Sequence, residues 1–150
     1  MKVKMFVIAI LMSVGLVGVA YSCTETNSLL LYIVNHSSST LNLSATQLSG
    51  ASNKPTFPST IAPTQGKADP THICAKSFST SDPKGTVEYE DSNLKGQVLV
   101  TFDVSAETCQ MLVQSYVPPY TNSFQSCGMG TDETGLGFVC TCEVPANFLK

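Results

Sequence analysis

The stretch Gln97-Val98-Leu99-Val100-Thr101-Phe102-Asp103-Val104 decides the fold class. Every second residue from Val98 to Val104 is apolar, and the residues between them are mostly polar. Successive side chains of a β-strand point to opposite faces, so this alternation is typical of a strand with one buried face. A second alternating stretch, Thr86–Glu90, precedes it across Ser92-Asn93-Leu94-Lys95-Gly96, which is typical of a hairpin loop. We therefore expect two antiparallel strands that share one face toward a core.

Short strands are predicted along most of the remaining chain. In Thr40–Ala45, the pattern places Leu41, Leu43 and Ala45 on one face. No segment has the apolar period of a long helix, although Ser105–Leu112 has room for one helical turn. Six or seven short strands predict an all-β fold, a single antiparallel β-sandwich. The other strand candidates are Leu29–Asn35, Cys109–Val117 and Leu136–Val144.

The first 22 residues have the pattern of a secretory signal peptide, which leaves residues 23–150 as one domain. Lys2 and Lys4 precede an apolar stretch over residues 5–20, and Ala20-Tyr21-Ser22 offers small residues for cleavage before Cys23. The alternative is a membrane anchor, but the apolar stretch is shorter than the roughly 20 residues that span a bilayer. We expect a secreted, periplasmic or extracellular protein with no transmembrane segment in its mature chain.

The charge composition argues against nucleic-acid binding. The 150-residue chain has a net charge of −3, with eight basic residues, all of them lysines. Loss of Lys2 and Lys4 with the signal peptide would make the mature chain still more acidic. Nucleic-acid binding uses a basic surface, and bidentate recognition of phosphate uses arginine, which this sequence lacks. We therefore expect no nucleic-acid partner.

The cysteines predict a disulfide-stabilised domain. An even number in an exported chain favours disulfides, here three of them. Cys140 and Cys142 lie two residues apart in a predicted strand, so they share a face and should reach different partners, of which Cys109 and Cys127 are the nearest in sequence. The six candidates are Cys23, Cys74, Cys109, Cys127, Cys140 and Cys142.

Cys23 has a second interpretation, because a cysteine directly after a cleavage site is where bacterial lipoproteins carry their lipid. Such sites usually have leucine three residues before the cysteine, whereas this chain has Ala20 there, followed by the bulky Tyr21. Lipidation would also leave an odd number of cysteines. A disulfide at Cys23 is the favoured hypothesis, and a lipid anchor is the alternative.

No motif for catalysis or metal binding stands out, so we expect no catalytic residue, no metal and no cofactor. His72 lies near Asp69 and Cys74, but an oxidised cysteine is no nucleophile. Four of the cysteines form a conceivable thiolate set without C-x-x-C spacing, and Asp132-Glu133 lacks the pattern of a calcium loop. A small secreted hydrolase or protease inhibitor is kept as an alternative function.

The most suggestive candidate for binding is a group of aromatic residues around a double proline. Prolines restrict the backbone, and rigid aromatic surfaces are frequent in recognition sites. The alternative is that Tyr116 and Phe124 cover the end of the sandwich. The candidate binding residues are Tyr116, Pro118, Pro119, Tyr120 and Phe124. Asn35-His36-Ser37 and Asn42-Leu43-Ser44 are also formal glycosylation acceptors.

The order of several segments resembles the aegerolysins, small secreted β-sandwich proteins. The apolar strand that ends in Asn35 is followed by Thr40–Ser44, Pro58–Pro63, Gly85–Tyr89 and Val98–Asp103. The resemblance implies this architecture and membrane-lipid binding without enzymatic activity, and it assigns no individual site.

These observations lead to one hypothesis about function and two alternatives. We expect a secreted, non-enzymatic binding protein whose ligand is a lipid, a glycan or a protein at some surface. The alternatives are an envelope-associated structural protein or lipoprotein, and the small hydrolase or inhibitor.

Overall fold

The fold is seen in a computed structural model that describes residues 23, 26–63, 70–76, 82–131, 133 and 137–149. The segment interpreted as a signal peptide, residues 1–22, lies outside the described residues, as do Asp69 and Asp132. The described residues form ten strands and no helix, and thus none that is long and apolar enough to cross a membrane. The strands are β1 (Ser28–Asn35), β2 (Leu41–Ser49), β3 (Thr60–Ile61), β4 (Thr71–Ile73), β5 (Lys84–Asp91), β6 (Gly96–Asp103), β7 (Thr108–Ser115), β8 (Asn122–Ser126), β9 (Gly128–Thr131) and β10 (Gly137–Val144).

The strands form two sheets, which confirms the predicted all-β, disulfide-stabilised fold. One sheet has four strands in the order β4-β1-β10-β9, and the other has six in the order β3-β2-β5-β6-β7-β8. The count exceeds six or seven because β3, β4, β8 and β9 are short and have weak apolar alternation. All of them lie at sheet edges. A short edge strand needs few buried side chains, so its sequence carries little signal.

A shared core holds the two sheets together. The apolar alternation of β6 is realised as predicted, because Val98, Val100 and Phe102 are buried in this core. They meet side chains from the opposite sheet. The four-stranded sheet contributes Leu29, Leu31, Ile33, Cys140, Cys142 and Val144 to the same cluster.

Two details of strand pairing differ from the sequence-based expectation. β1 and β10 pair in parallel, whereas the other ladders are antiparallel. These two strands stand at opposite ends of the domain sequence, so no hairpin imposes an antiparallel direction. In β2, the register shifts between Leu43 and Ala45. The bulge places Ala45 opposite Glu88 and away from the core, so the prediction that Ala45 shares a face with Leu41 is wrong.

Three disulfides cross-link the fold and use all six cysteines. Cys23 pairs with Cys74, Cys109 with Cys140, and Cys127 with Cys142. The expectation that Cys140 and Cys142 reach Cys109 and Cys127 is confirmed. Both of these bridges join the six-stranded half of the sandwich to β10. Disulfides persist in oxidising compartments, so the bridges are consistent with an extracellular or secreted protein.

Candidate ligand-binding surface

Two hairpins meet at one end of the six-stranded sheet. The β5–β6 hairpin turns through residues 92–95, and the β7–β8 hairpin turns through residues 116–121. Lys95 and Tyr116 join them, since the Tyr116 N–H donates a hydrogen bond to the Lys95 carbonyl at 2.7 Å. The second hairpin is closed at its base by the Ser115 N–H, which donates to the Thr121 carbonyl at 2.9 Å.

Exposed hydrophobic side chains concentrate at this end. Pro118 and Pro119 are also exposed, and the peptide bond between them is cis. We call the four large exposed hydrophobic residues, Leu94, Tyr116, Tyr120 and Phe124, the aromatic end. Among the described residues, the large hydrophobic side chains that remain exposed are Leu94 (69%), Tyr116 (48%), Tyr120 (73%) and Phe124 (76%).

The aromatic end brings together the residues that the sequence had nominated and adds Leu94. Tyr116, Tyr120 and the two prolines lie in one hairpin, and Phe124 follows in β8. With about three quarters of its side chain exposed, Phe124 does not cover the end of the sandwich. Leu94 has the left-handed backbone conformation of a tight turn (φ 56°), and no apolar pattern marks it in the sequence.

A buried aspartate holds the β5–β6 hairpin. Asp91 is fully buried, and its Oδ2 accepts hydrogen bonds from the N–H groups of Asn93 (3.0 Å) and Lys95 (3.3 Å). Its Oδ1 has no hydrogen-bond partner within the described part of the chain. The Lys95 carbonyl in turn accepts a hydrogen bond from the Tyr116 N–H. Asp91 therefore positions Tyr116 through one residue, Lys95. The signal in the sequence is an aspartate at a strand end, where its side chain can bond the backbone two residues on.

The outward face of the six-stranded sheet continues the aromatic end. Strand register aligns Leu99, Leu112 and Phe124 on β6, β7 and β8, and we call these three the apolar row. The next aligned positions toward the aromatic end are Gln97, Gln114 and Asn122, which we call the amide row. Alternate residues of the same strands, such as Val98 and Val113, are buried in the core, so both rows face outward.

Two carboxylates extend these rows onto β5. Glu88 stands opposite Leu99, and Glu90 stands opposite Gln97. Within the amide row, the Gln97 Nε2 donates a hydrogen bond to the Gln114 Oε1. We call the apolar row, the amide row and these two carboxylates together the outer patch. It contains no lysine.

Tyr116 is electrostatically coupled to the outer patch. Partial burial raises the pKa of the Tyr116 phenol, and the negative charges of Glu88 and then Glu90 raise this pKa further. A charge acts on a phenol in this way only at close range, because water screens longer distances. Tyr116 directly follows β7, so it lies where the aromatic end borders the outer patch.

A concave region is lined by residues of both sheets. It is a cleft of about 480 Å³ lined by residues that include Met111, Gln125, Ser126 and Thr141. His36 and Glu143 also line it, with 3.6 Å between Nε2 and Oε2. That distance exceeds the usual range of a hydrogen bond. The pair is a weak surface contact.

The hypothetical nucleophile near His72 is engaged elsewhere. Cys74 is bonded to Cys23, so its sulfur cannot attack a substrate. His72 and Asn53 line a separate cleft of about 410 Å³. The Asn53 Nδ2 donates to the His72 carbonyl at 2.8 Å. The same disulfide occupies the sulfur that lipidation of Cys23 would modify.

The four remaining cysteines form a compact buried cluster. The sulfurs of Cys109, Cys127, Cys140 and Cys142 all lie within 4.8 Å of one another. Metal ions are bound by thiolates. Here every one of the four sulfurs is paired in a disulfide. In this oxidised state, the cluster is a structural cross-link between the sheets.

The two formal glycosylation acceptors differ in accessibility. Asn35 is fully buried, and its Nδ2 donates to the carbonyls of Ser39 (2.7 Å) and Ile61 (3.1 Å). Its Oδ1 accepts the Ser37 hydroxyl at 2.6 Å. In the folded protein this side chain is a structural connector and cannot carry a glycan. Asn42 is exposed on β2, opposite Glu90.

Comparison with known proteins adds no family or function. No protein-family model matches the chain, and no curated protein has significant sequence similarity to it. The resemblance to the aegerolysins therefore stays a prediction.

Proposed function

We propose that this protein is a secreted, non-enzymatic binding protein whose ligand contacts the aromatic end. One observation carries the proposal. The large exposed hydrophobic side chains of the described residues are gathered at one end of one sheet and on the strand that leaves it. Single exposed hydrophobic residues are normal on any protein, but a group of them marks an interaction surface.

The construction of the aromatic end supports the same function. Asp91 and the Tyr116–Lys95 hydrogen bond fix the positions of the two hairpins. The rings of Pro118 and Pro119 restrict the backbone between Tyr116 and Tyr120. A surface that is ordered before it binds loses little conformational entropy on binding, so its contacts contribute more fully to affinity.

The test is a double substitution at the aromatic end, Tyr116→Ala with Tyr120→Ala. Wild type and variant are compared for binding to three immobilised panels: polysaccharides, lipid vesicles and extracellular protein domains. We expect wild type to bind a member of one panel and the variant to bind it at least about tenfold more weakly, because central aromatic residues dominate interface energies.

The matched control is Thr46→Ala with Gln47→Ala, two exposed positions on β2 at the far side of the sheet. The control should bind like wild type, and urea unfolding should give the same midpoint for all three proteins. Equal binding by wild type and the tyrosine variant would place the site elsewhere, and no binding to any panel would remove the support for a binding function.

Two measurements separate the alternative functions from this proposal. An envelope lipoprotein would show an acyl group on Cys23 in the intact mass of the exported protein, and the Cys23–Cys74 disulfide would be missing. A hydrolase would be labelled by reactive probes for serine or cysteine nucleophiles. We expect three intact disulfides and no labelling.

A further inference from the structure

We infer that the ligand is a polysaccharide of uncharged sugars that lies across the outer patch and ends against the aromatic end. The inference rests on the proposed binding function and specifies its ligand class. It joins two surfaces that share the β7–β8 hairpin, with Phe124 belonging to both.

The geometry of the outer patch matches the chemistry of a sugar chain. A sugar ring presents apolar C–H groups on its faces and hydroxyl groups around its rim. The C–H groups pack on the electron-rich face of an aromatic ring, and the Phe124 ring is about three quarters exposed (76%). Leu99 and Leu112 continue that apolar row across two more strands, spaced about 4.8 Å apart. The row is therefore an extended apolar track across three strands.

The amide row supplies the polar partners. A hydroxyl group both donates and accepts hydrogen bonds, and a carboxamide side chain does the same with separate atoms. Gln97, Gln114 and Asn122 stand side by side along the apolar row, so a sugar packed on that row presents its rim to them. The Gln97–Gln114 hydrogen bond fixes the orientation of one amide by the other. Glu88 and Glu90 add acceptors at the β5 end.

Charge distinguishes a neutral sugar chain from the other ligands of a surface protein. The charged groups of the outer patch are the carboxylates Glu88 and Glu90, and the whole chain has a net charge of −3. Anionic lipids and acidic polysaccharides would be repelled, since their recognition uses clustered lysine or arginine. An uncharged, hydroxyl-rich chain meets no such penalty, and its hydroxyls can donate to both carboxylates.

The experiment measures depletion of the protein from solution by insoluble cellulose, chitin and β-1,3-glucan. Crosslinked polygalacturonate serves as the acidic counterpart, and vesicles of phosphatidylcholine with phosphatidylserine serve as the lipid counterpart. We expect binding to at least one neutral polysaccharide and none to polygalacturonate or vesicles. Added salt should leave the binding unchanged, because no ion pair with the ligand is involved.

Substitutions at Phe124 separate sugar packing from simple hydrophobic contact. Phe124→Ala should weaken binding by about tenfold or more. Phe124→Leu keeps an apolar side chain but removes the flat ring, so it should be nearly as weak, whereas Phe124→Tyr should bind like wild type. Tolerance of leucine would overturn the inference, because it would show that the contact is only hydrophobic.

The amide row has its own matched pair. Gln114→Ala should weaken binding about fivefold, the equivalent of one hydrogen bond. The control, Gln47→Ala on β2, removes the same carboxamide group at a position outside the outer patch and should have no effect on binding. Equal effects of the two variants would overturn the assignment of the amide row.

The outcomes distinguish this inference from the proposed function. Binding only to vesicles or to a protein, when it is abolished by Tyr116→Ala with Tyr120→Ala, would overturn the polysaccharide ligand and leave the binding function intact. A protein that binds neither the neutral polysaccharides nor any other panel member would overturn both.

Discussion

The six-stranded sheet ends in one way at the β6–β7 turn and in another at the two hairpins of the aromatic end. At the β6–β7 turn, residues 104–107, Val104 is buried and the exposed side chains are small or polar, while Cys109 and Cys127 are tied to β10 by disulfides. At the aromatic end, exposed rings stand on hairpins that are held by hydrogen bonds. The same strands thus run from an end that is fixed by disulfides to an end that exposes apolar side chains. We expect the first end to act as the scaffold and the second to carry the binding site.

At each end of the sheet, an aspartate side chain accepts backbone hydrogen bonds in a turn, and the two aspartates differ in burial. Asp91 is buried beneath the β5–β6 hairpin. Asp103 is only partly buried, and its Oδ1 accepts from the Ser105 hydroxyl (2.6 Å) and the Ala106 N–H (3.2 Å). The Ser105 hydroxyl is the main group that lowers the pKa of Asp103. The stability from Asp103 is therefore present above the pKa of the unfolded carboxyl group and is lost as pH falls through the lower folded value.

The largest expected effect comes from removing one of the disulfides near the β6–β7 turn. Replacing Cys109 and Cys140 together by alanine removes a bridge between residues 31 apart in sequence. The free energy of unfolding should fall by about 4 kcal/mol, because the unfolded chain gains the entropy of the opened loop. Urea titration monitored by circular dichroism measures the loss, and thiol titration checks that the other two bridges remain.

The same variant tests whether the two ends are independent. Under conditions where it remains folded, the NMR shifts of Tyr116 and Tyr120 should match those of wild type, because both residues follow β7 at the end opposite Cys109. A fall in stability below about 1 kcal/mol would contradict the assigned role of the disulfide. Altered tyrosine shifts would show that the aromatic end depends on it.

A smaller effect is expected from the paired aspartates. Asp91→Ala removes the acceptor of two backbone N–H groups and should destabilise the protein by about 1–2 kcal/mol. Asp103→Ala should cost less than about 1 kcal/mol, because water can reach the donors that this partly exposed carboxylate leaves. Urea titration at neutral pH gives both values.

The two variants should also differ in where they act. Asp91→Ala should shift the NMR signals of Leu94, Lys95 and Tyr116 and weaken ligand binding, while Asp103→Ala should leave these signals in place. Equal stability losses, or unchanged signals at Tyr116 in Asp91→Ala, would mean that the buried carboxylate does not position the aromatic end.

The sequence predicts the scaffold better than the site, for a physical reason. Alternation in Gln97–Val104 records which side chains are buried, so the central strands follow from it directly. The outer patch depends on strand register, which places Leu99 beside Leu112 and Phe124 although they lie far apart in sequence. Register is set by the whole sheet. The prediction for the face of Ala45 fails for the same reason. The apolar alternation of the sequence continues through the bulge at Leu43–Ala45 and does not reveal it.

The aromatic residues were predictable because they are local, and their supports were not. Tyr116 and Tyr120 flank a double proline within five residues. Asp91 acts on Tyr116 only because two separate hairpins meet at the Lys95 carbonyl. Likewise, Cys140 and Cys142 predicted their pair of partners from the shared face of one strand, while sequence could not choose between Cys109 and Cys127 for each.

The smallest expected effect tests the contact between the aromatic end and the outer patch. Glu88→Gln and Glu90→Gln should each lower the pKa of the Tyr116 phenol toward its usual range, because their charges disfavour the phenolate. Burial is the main cause of the raised pKa and stays in place, so each shift should be partial. NMR titration of the tyrosine ring signals measures it. Glu107→Gln, the same change at the β6–β7 turn, should leave the Tyr116 pKa unchanged.

The sign of the accompanying stability change follows from the raised pKa. The unfolded phenol releases its proton at a lower pH than the folded one, so stability falls as pH rises through the unfolded value. Each glutamine variant should reduce that fall. An unchanged Tyr116 pKa in both variants would place its hydroxyl away from β5. In that case Phe124 would still belong to both surfaces, but Tyr116 would lie away from the outer patch, and a sugar chain on the apolar row would not reach it.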